Sequence, residues 1–345
     1  MRRGRGWKQL LRLAAGVSGL AWMVAGCGSF GPSNAPKEYP IAVTSQSADR
    51  ILVFDPAATD WSEPKALKWS WQPTADNGFD GLNRMWGLPT DAKVRTNEVW
   101  GGQWMVFTDS SGLAGIIPYP QGDAKKWGLA VGDNPHSAEL LPNGNIAIAA
   151  STGGWVRVYA SSQGSSADKY AQYAMPGAHA VLWDPQRQVL WAAGDDALVS
   201  LRVAGSDAAP ALEEAERIAL PTKHAHAVEP VYGNPDRLWV ASGSQVYQYV
   251  KSTKSFDSAY PGREAISRVG VKSIGNQPSG EVVETVPDMA KKPPGGCKAN
   301  NWCTETVDRF RPEGGQPGAG AWSRIGQTLS GEALYKARIL NPNYQ

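Results

Sequence analysis

The chain has 345 residues, 42% of them hydrophobic and 19% charged, and it is rich in Gly (38), Pro (25) and Trp (15). That length and apolar content allow a large core arranged as one or two domains. The formal net charge is +2, but five of the 34 Lys and Arg residues (Arg2, Arg3, Arg5, Lys8, Arg12) fall within the first 26 residues, which hold no acidic residue. The rest of the chain therefore sets 29 basic residues against 32 acidic ones, which excludes the basic surface that nucleic-acid binding requires.

Residues 1–26 read as a signal segment. A positive start is followed by an apolar run, Leu13 to Val24, that is too short and wrongly flanked for a membrane span. The segment ends Val24-Ala25-Gly26-Cys27. This ending resembles the lipobox of bacterial lipoproteins, where the cysteine is diacylated and becomes the new N-terminus. The resemblance implies a lipid on Cys27, a lipid bilayer as partner, and an extracytoplasmic place in the cell envelope, periplasmic or at the cell surface. Ordinary cleavage with Cys27 left as a free thiol is the alternative. Residues 27–40 would be the lipidated start and a flexible tether carrying Gly28, Ser29, Gly31, Pro32, Ser33 and Pro36.

From residue 41 almost every segment reads as a short strand closed by a turn. Ile41–Thr44 leads through Ser47–Asp49 into Arg50–Asp55. The same pair recurs as Asn145–Ala150 with Trp155–Tyr159, Val189–Ala193 with Ala197–Val203, and Arg237–Ala241 with Val246–Val250. The intervening turns, such as Gly153-Gly154 and Ser242-Gly243-Ser244, tolerate positive φ. Helical periodicity is nearly absent; the charged stretch Glu213–Glu216 runs into the strand pattern Arg217–Leu220. Cys297 and Cys303 lie in a Pro/Gly-rich segment, and in an exported protein they read as one disulfide closing a small loop. Asp76–Gly81 lacks the spacing of a calcium loop and reads as a turn.

A basic or imidazole side chain precedes a small or β-branched residue and an apolar strand six times: at Lys93, His136, His179, His226, Lys272 and Lys336. The spacings are 43, 43, 47, 46 and 64 residues, a period of the length that one four-stranded propeller blade takes. The expected fold is all-β, a six-bladed β-propeller over residues 41–345. Ile41 begins the second strand of a blade, and Ala333–Leu340 supplies that blade's innermost strand, closing the ring. An insertion around Met289–Cys303 accounts for the long last interval. Most of the tryptophans are expected between blades.

On these repeats, with Thr44–Asp55 and Trp104–Ser111 as the most recognisable stretches, the chain resembles bacterial exported propellers related loosely to WD40-type repeats. It is similar in particular to a family of uncharacterised secreted six-bladed propellers. The resemblance covers about residues 41–345 and implies a fold, with little chemistry.

If the six repeated side chains converge on the axis, two functional readings follow. Lysines and histidines could form an electropositive funnel for a small anion or an acidic glycan, with tryptophans as stacking platforms. Alternatively, His136, His179 and His226 could chelate a divalent metal. Oligogalacturonate lyases, also propellers, resemble this arrangement in using channel histidines to hold a metal, which implies a metal-dependent polysaccharide lyase or hydrolase. Glu139 and Glu229, each three residues past a ring histidine, would be extra ligands, a base, or solvated strand residues; His224 could share a strand face with His226. A third reading gives these side chains a packing role, bonded to carbonyls of neighbouring blades. A scaffold that binds another envelope protein is the remaining class. No Gly-x-Ser-x-Gly elbow, Walker loop or dinucleotide fingerprint is present, and the sequence assigns no certain cofactor.

Overall fold

The apolar runs of this chain alternate between two partners instead of between core and water. In the segment Gln103–Asp109, Met105 and Phe107 join one buried cluster and Val106 joins another. In Ile146–Ala150, Ala147 and Ala149 face one neighbour while Ile146, Ile148 and Ala150 face the other. A strand with both faces apolar must lie between two sheets. In a computed structural model, which describes residues 37–313 and 321–344, six four-stranded antiparallel sheets satisfy that demand. The expected signal segment, Cys27 and most of the expected tether lie outside the described residues.

Blade 1 holds β1 (Ile41–Ser45), β2 (Arg50–Phe54) and β3 (Leu67–Trp71). Blade 2 is β4 (Pro89–Thr96), β5 (Gln103–Asp109), β6 (Leu113–Tyr119) and β7 (Trp127–Ala130); blade 3 is β8 (Pro135–Leu140), β9 (Ile146–Ala150), β10 (Trp155–Tyr159) and β11 (Tyr170–Ala174). Blade 4 is β12 (Ala180–Asp184), β13 (Val189–Ala193), β14 (Ala197–Ser206) and β15 (Ala209–Ala219). Blade 5 is β16 (Ala227–Pro230), β17 (Arg237–Ala241), β18 (Val246–Val250) and β19 (Ser255–Asp257). Blade 6 is β20 (Ser273–Asn276), β21 (Val282–Thr285), β22 (Thr306–Pro312) and β23 (Trp322–Thr328). β24 (Leu334–Ile339) returns to pair antiparallel with β1, Ile41 opposite Ile339 and Val43 opposite Ala337, as the innermost strand of blade 1.

The six-bladed propeller and its closure thus agree with the sequence reading. Six apolar clusters fill the six interfaces between blades, and Trp61, Trp71, Trp127, Trp155, Trp183, Trp191 and Trp239 are buried within them. The Asp76–Gly81 segment is one irregular helical turn and a bend, capped by Thr74. Cys297 and Cys303 form a disulfide in the insertion between β21 and β22.

The axis is filled. Asp91, Lys93, Arg95, Glu139, Glu229, Lys336 and Arg338 all lie buried along it. Arg95 clamps Glu139 through two hydrogen bonds, Nε to Oε1 at 2.7 Å and Nη2 to Oε2 at 2.9 Å. Arg338 donates to Asp91 at 2.7 Å and approaches Glu229 at 3.1 Å, off the hydrogen-bond direction. Lys93 reaches across to donate to the Val181 carbonyl at 2.7 Å and lies 3.3 Å from Glu229. Burial favours a neutral Asp91, but Arg338, Lys93 and Lys336 outweigh it and hold that carboxyl below the usual range.

Four cations here face three carboxylates. Burial, reinforced by Arg338 and Lys93 against Asp91, lowers Lys336 to about 7, so it is the member whose proton is held least firmly. The segment after β24 seals the far end: Pro342 accepts from the Thr96 amide, Asn341 from Arg95, and Tyr344 donates to the Leu140 carbonyl at 2.7 Å beneath the Arg95 guanidinium.

Removing one partner of a buried charge pair leaves the other stranded. Glu139→Ala, which strips the buried Arg95 of its carboxylate while Lys93 keeps Glu229, is expected to lower stability by about 3–5 kcal/mol in denaturant unfolding. Lys65→Ala, at an exposed surface pair with Glu63, should leave stability nearly unchanged in the same experiment.

Candidate functional site

The inner strands of blades 3 to 6 are entered through one local device. Two residues before each ring side chain stands a residue with left-handed backbone: Asn134 (φ 60°) before His136, Gly177 (63°) before His179, His224 (64°) before His226 and Gly270 (79°) before Lys272. Gly and Asn adopt this conformation at little cost. The turn carries the next-but-one side chain over the axis. For His136 and His179 it also turns the carbonyl of Asn134 and of Gly177 back onto the ring, 2.9 and 2.7 Å from Nδ1. A carbonyl only accepts, so in each ring Nδ1 carries the proton and Nε2 presents its lone pair.

The three imidazoles pack edge to face in a row, centroids 4.5 Å apart between His136 and His179 and 4.9 Å between His179 and His226. His226 departs from the pattern. Its Nδ1 is buried with no hydrogen-bond partner, and its Nε2 lies 3.0 Å from the Lys272 ammonium nitrogen. Tyr335 closes the row against His136 at 5.8 Å.

These groups line a pocket of about 390 Å³ at one mouth of the ring. Gln46, Ser110 and Ser151, from equivalent turns of blades 1 to 3, line it too, as do Leu88, Asn134 and Trp302. Trp302 belongs to the loop that the disulfide closes. Its indole N–H and the Asn300 amide both donate to Gln46 Oε1, at 3.0 and 3.3 Å, which ties the loop to blade 1. A larger hollow of about 1040 Å³ lies at the edge of blades 5 and 6 around Tyr260, Arg263 and Trp322. Its described lining gathers no comparable chemistry.

Four of the six repeated side chains therefore meet at the mouth. Lys336 is one residue out of step: a bulge in β24 sets Leu334 opposite Ser45 and Ala337 opposite Val43, so Tyr335 stands where His136 does, while Lys336 passes beneath, fully buried, and donates to the His136 carbonyl at 2.8 Å. Lys93 is three residues out of step. β-Bulges place Thr90 in blade 2 where His136 stands in blade 3, since Pro89 and Asp91 pair there as Pro135 and Ser137 do. Lys93 matches Glu139 and Glu229 in depth. For these two lysines the packing role applies, and the six-cation funnel is corrected to a mouth with Lys272 alone.

Glu139 and Glu229 are corrected likewise. They are neither solvated nor at the mouth but in the axial charge column: alternation counted from the histidines fails because His136 sits at a bulge and His226 precedes the first residue of β16. His224 faces outward, paired with Asp195 at 3.0 Å on the surface, because its left-handed backbone turns it away from His226. Among the described residues no group of three or more His, Cys, Asp or Glu side chains could hold a metal ion, and the three histidines pack edge to face in a row instead of converging. Tyr335 and Trp302 are site residues the repeat did not reveal. The left-handed residue at the second position before each ring residue was the sequence signal available for the register.

Burial, together with the charges of Lys336 and Lys272, depresses all three imidazoles: His136 and His226 well below their ordinary value, His179 to about 4. Burial also lowers Lys272, to about 8. At neutral pH the mouth thus presents uncharged imidazole acceptors beside one ammonium group.

A model of a family of unknown function, DUF6528, matches residues 35–289. The chain belongs to this family. No curated protein matches it significantly. Among solved structures, a protein of unknown function from Bacteroides caccae is similar over 87% of this chain and 94% of that one, at 10% identity and a TM-score of 0.51. Hydrazine synthase of Kuenenia stuttgartiensis is similar over 71% of this chain and 68% of its own, at 14% identity and a TM-score of 0.47. A streptogramin B lyase is similar over 70% of each chain, at 12% identity and a TM-score of 0.44. At these identities the likeness is one of fold.

The depressed imidazoles have a pH consequence. An unfolded chain binds a proton at His179 near pH 6.5, whereas the folded protein does so only near 4. Unfolding therefore takes up a proton in that window, so stability is intact above pH 6.5 and falls as the pH drops toward 4. His179→Gln should flatten the fall by about 1.4 kcal/mol per pH unit in denaturant unfolding across pH 4–7. Ring ¹⁵N shifts should show Nδ1 protonated in His136 and His179 at pH 7.

Proposed function

We propose that the protein is a lipid-tethered, extracytoplasmic binding module whose mouth pocket holds a small acidic ligand, with sugar acids and acidic glycan ends as the favoured class. The observation that carries this reading is Lys272, the one cation among the residues lining that pocket. A carboxylate placed against it replaces lost water with a charge-assisted hydrogen bond. Around it, Nε2 of His136 and of His179 would accept hydrogen bonds from ligand hydroxyls, and the partly exposed indole of Trp302 offers a face for a sugar ring. The volume suits one or two sugar units, at the small end of ligand pockets. The tether rests on the lipobox-like ending at Cys27. A metal-dependent lyase is not favoured, because the donor set it needs is not gathered at the mouth.

Titration calorimetry of the purified protein tests the reading. Galacturonate or glucuronate should bind at least about tenfold more tightly than galactose, a difference of about 1.4 kcal/mol. Lys272→Met should remove that preference, and Trp302→Ala should weaken acid and neutral sugar alike. Equal affinity for acid and neutral sugar, or a preference that survives Lys272→Met, would overturn it.

A further inference from the structure

The pair formed by Lys272 and His226 holds more than an anion site requires. Lys93, Lys251 and Lys291, all buried or mostly so, each have a carboxylate within 4 Å, at 3.3, 2.7 and 2.6 Å. Among the described residues no carboxylate lies within that distance of Lys272; Lys336, which has none either, is held by the carbonyls of His136 and His179. The Lys272 amine nitrogen instead meets an imidazole nitrogen at 3.0 Å. Two nitrogens at that separation share one proton on the line between them, so one of them supplies a lone pair. His226 is also the single mouth histidine whose Nδ1 is not tied to a carbonyl. His136 and His179 are locked in one tautomer, whereas His226 is free to take a proton at Nε2 and return it.

We infer that Lys272 is a nucleophilic amine that captures a small carbonyl-bearing acid, a 2-oxo acid or an aldehyde acid, as a Schiff base, with His226 as its proton acceptor and donor. The inference rests on the reading of the mouth as an acid-binding pocket. The Lys272 ammonium gives one proton to His226 Nε2, and the freed amine adds to the carbonyl carbon, forming the C–N bond. A proton moves from nitrogen to the former carbonyl oxygen, giving a carbinolamine. The protonated His226 returns its proton to that hydroxyl, the C–O bond breaks and water leaves. The product iminium keeps the positive charge, so the ligand carboxylate keeps its counter-ion. Tyr335, His179 and Trp302 enclose the same volume as Lys272, which limits bulk water around the adduct. The burial that lowers Lys272 supports this chemistry: about a tenth of it is free amine at pH 7, against less than a thousandth for an exposed lysine.

The test incubates the full protein with dilute glyoxylate and cyanoborohydride, then maps adducts by intact mass and peptide analysis. One carboxymethyl group per chain is expected, on Lys272, formed at least tenfold faster than on any other lysine and faster than the adduct from glycolaldehyde, which lacks the acid. His226→Gln should slow it at least tenfold while circular dichroism remains native, and Lys272→Arg should abolish it. Glycolate, an acid without a carbonyl, should compete and leave no adduct. Labelling that follows surface exposure, or an unmodified Lys272 in a protein that binds galacturonate through Lys272, overturns the inference alone. Failure of both glyoxylate and galacturonate to engage Lys272 overturns the acid-binding reading with it.

Discussion

Seven ionisable side chains share the axis of this ring, and the mouth above them stands on that column. Their burial is tolerable only because each guanidinium and carboxylate meets an opposite charge or a carbonyl at hydrogen-bond distance. Blades 1, 2, 3 and 5 supply the charges and blade 4 supplies the Val181 carbonyl, so the inner strands are held by polar contacts across the axis as well as by apolar layers between the sheets. Lys336 joins the two levels. Its ammonium bonds the carbonyl of His136 from below and so places the imidazole row above it.

That column also decides what the mouth can do. By satisfying Lys93 and Lys336 internally, it withdraws two of the expected cations from any ligand. Burial, with the charges of Lys336 and Lys272 added to it, keeps the histidines neutral. A row of charged imidazoles would repel its own members at centroid separations under 5 Å; a row of neutral ones packs edge to face. The chemistry left is that of lone pairs beside one amine, suited to a ligand with hydroxyl groups and a single negative or electrophilic centre.

The period of basic residues was enough to place blades 2 to 6 and the closing strand, because an inner strand with a small residue beside the axis recurs at blade length. It was not enough to place Lys93. Matching by residue type aligned it with His136, whereas hydrogen-bond register aligns Thr90 there. A bulge changes which face a residue takes without changing composition, so strand alternation failed at Glu139 for the same reason. The axial ion pairs were invisible because Asp91 and Arg338 are far apart in sequence and become partners only after closure. Trp302 escaped notice because its place over the mouth depends on an insertion folding back onto Gln46. The disulfide was legible because two cysteines six residues apart leave few other roles.

The pairing of β1 with β24 spans some 292 residues of chain, as between Thr44 and Lys336. A contact of that range imposes a late step on folding, since its loop-closure entropy must be met before the contact rewards it. Until β24 arrives, β1 keeps an unpaired edge open to wrong partners. The arrival of β24 is therefore a checkpoint: a nascent molecule becomes resistant to misassembly and proteolysis only once this strand has been delivered to β1.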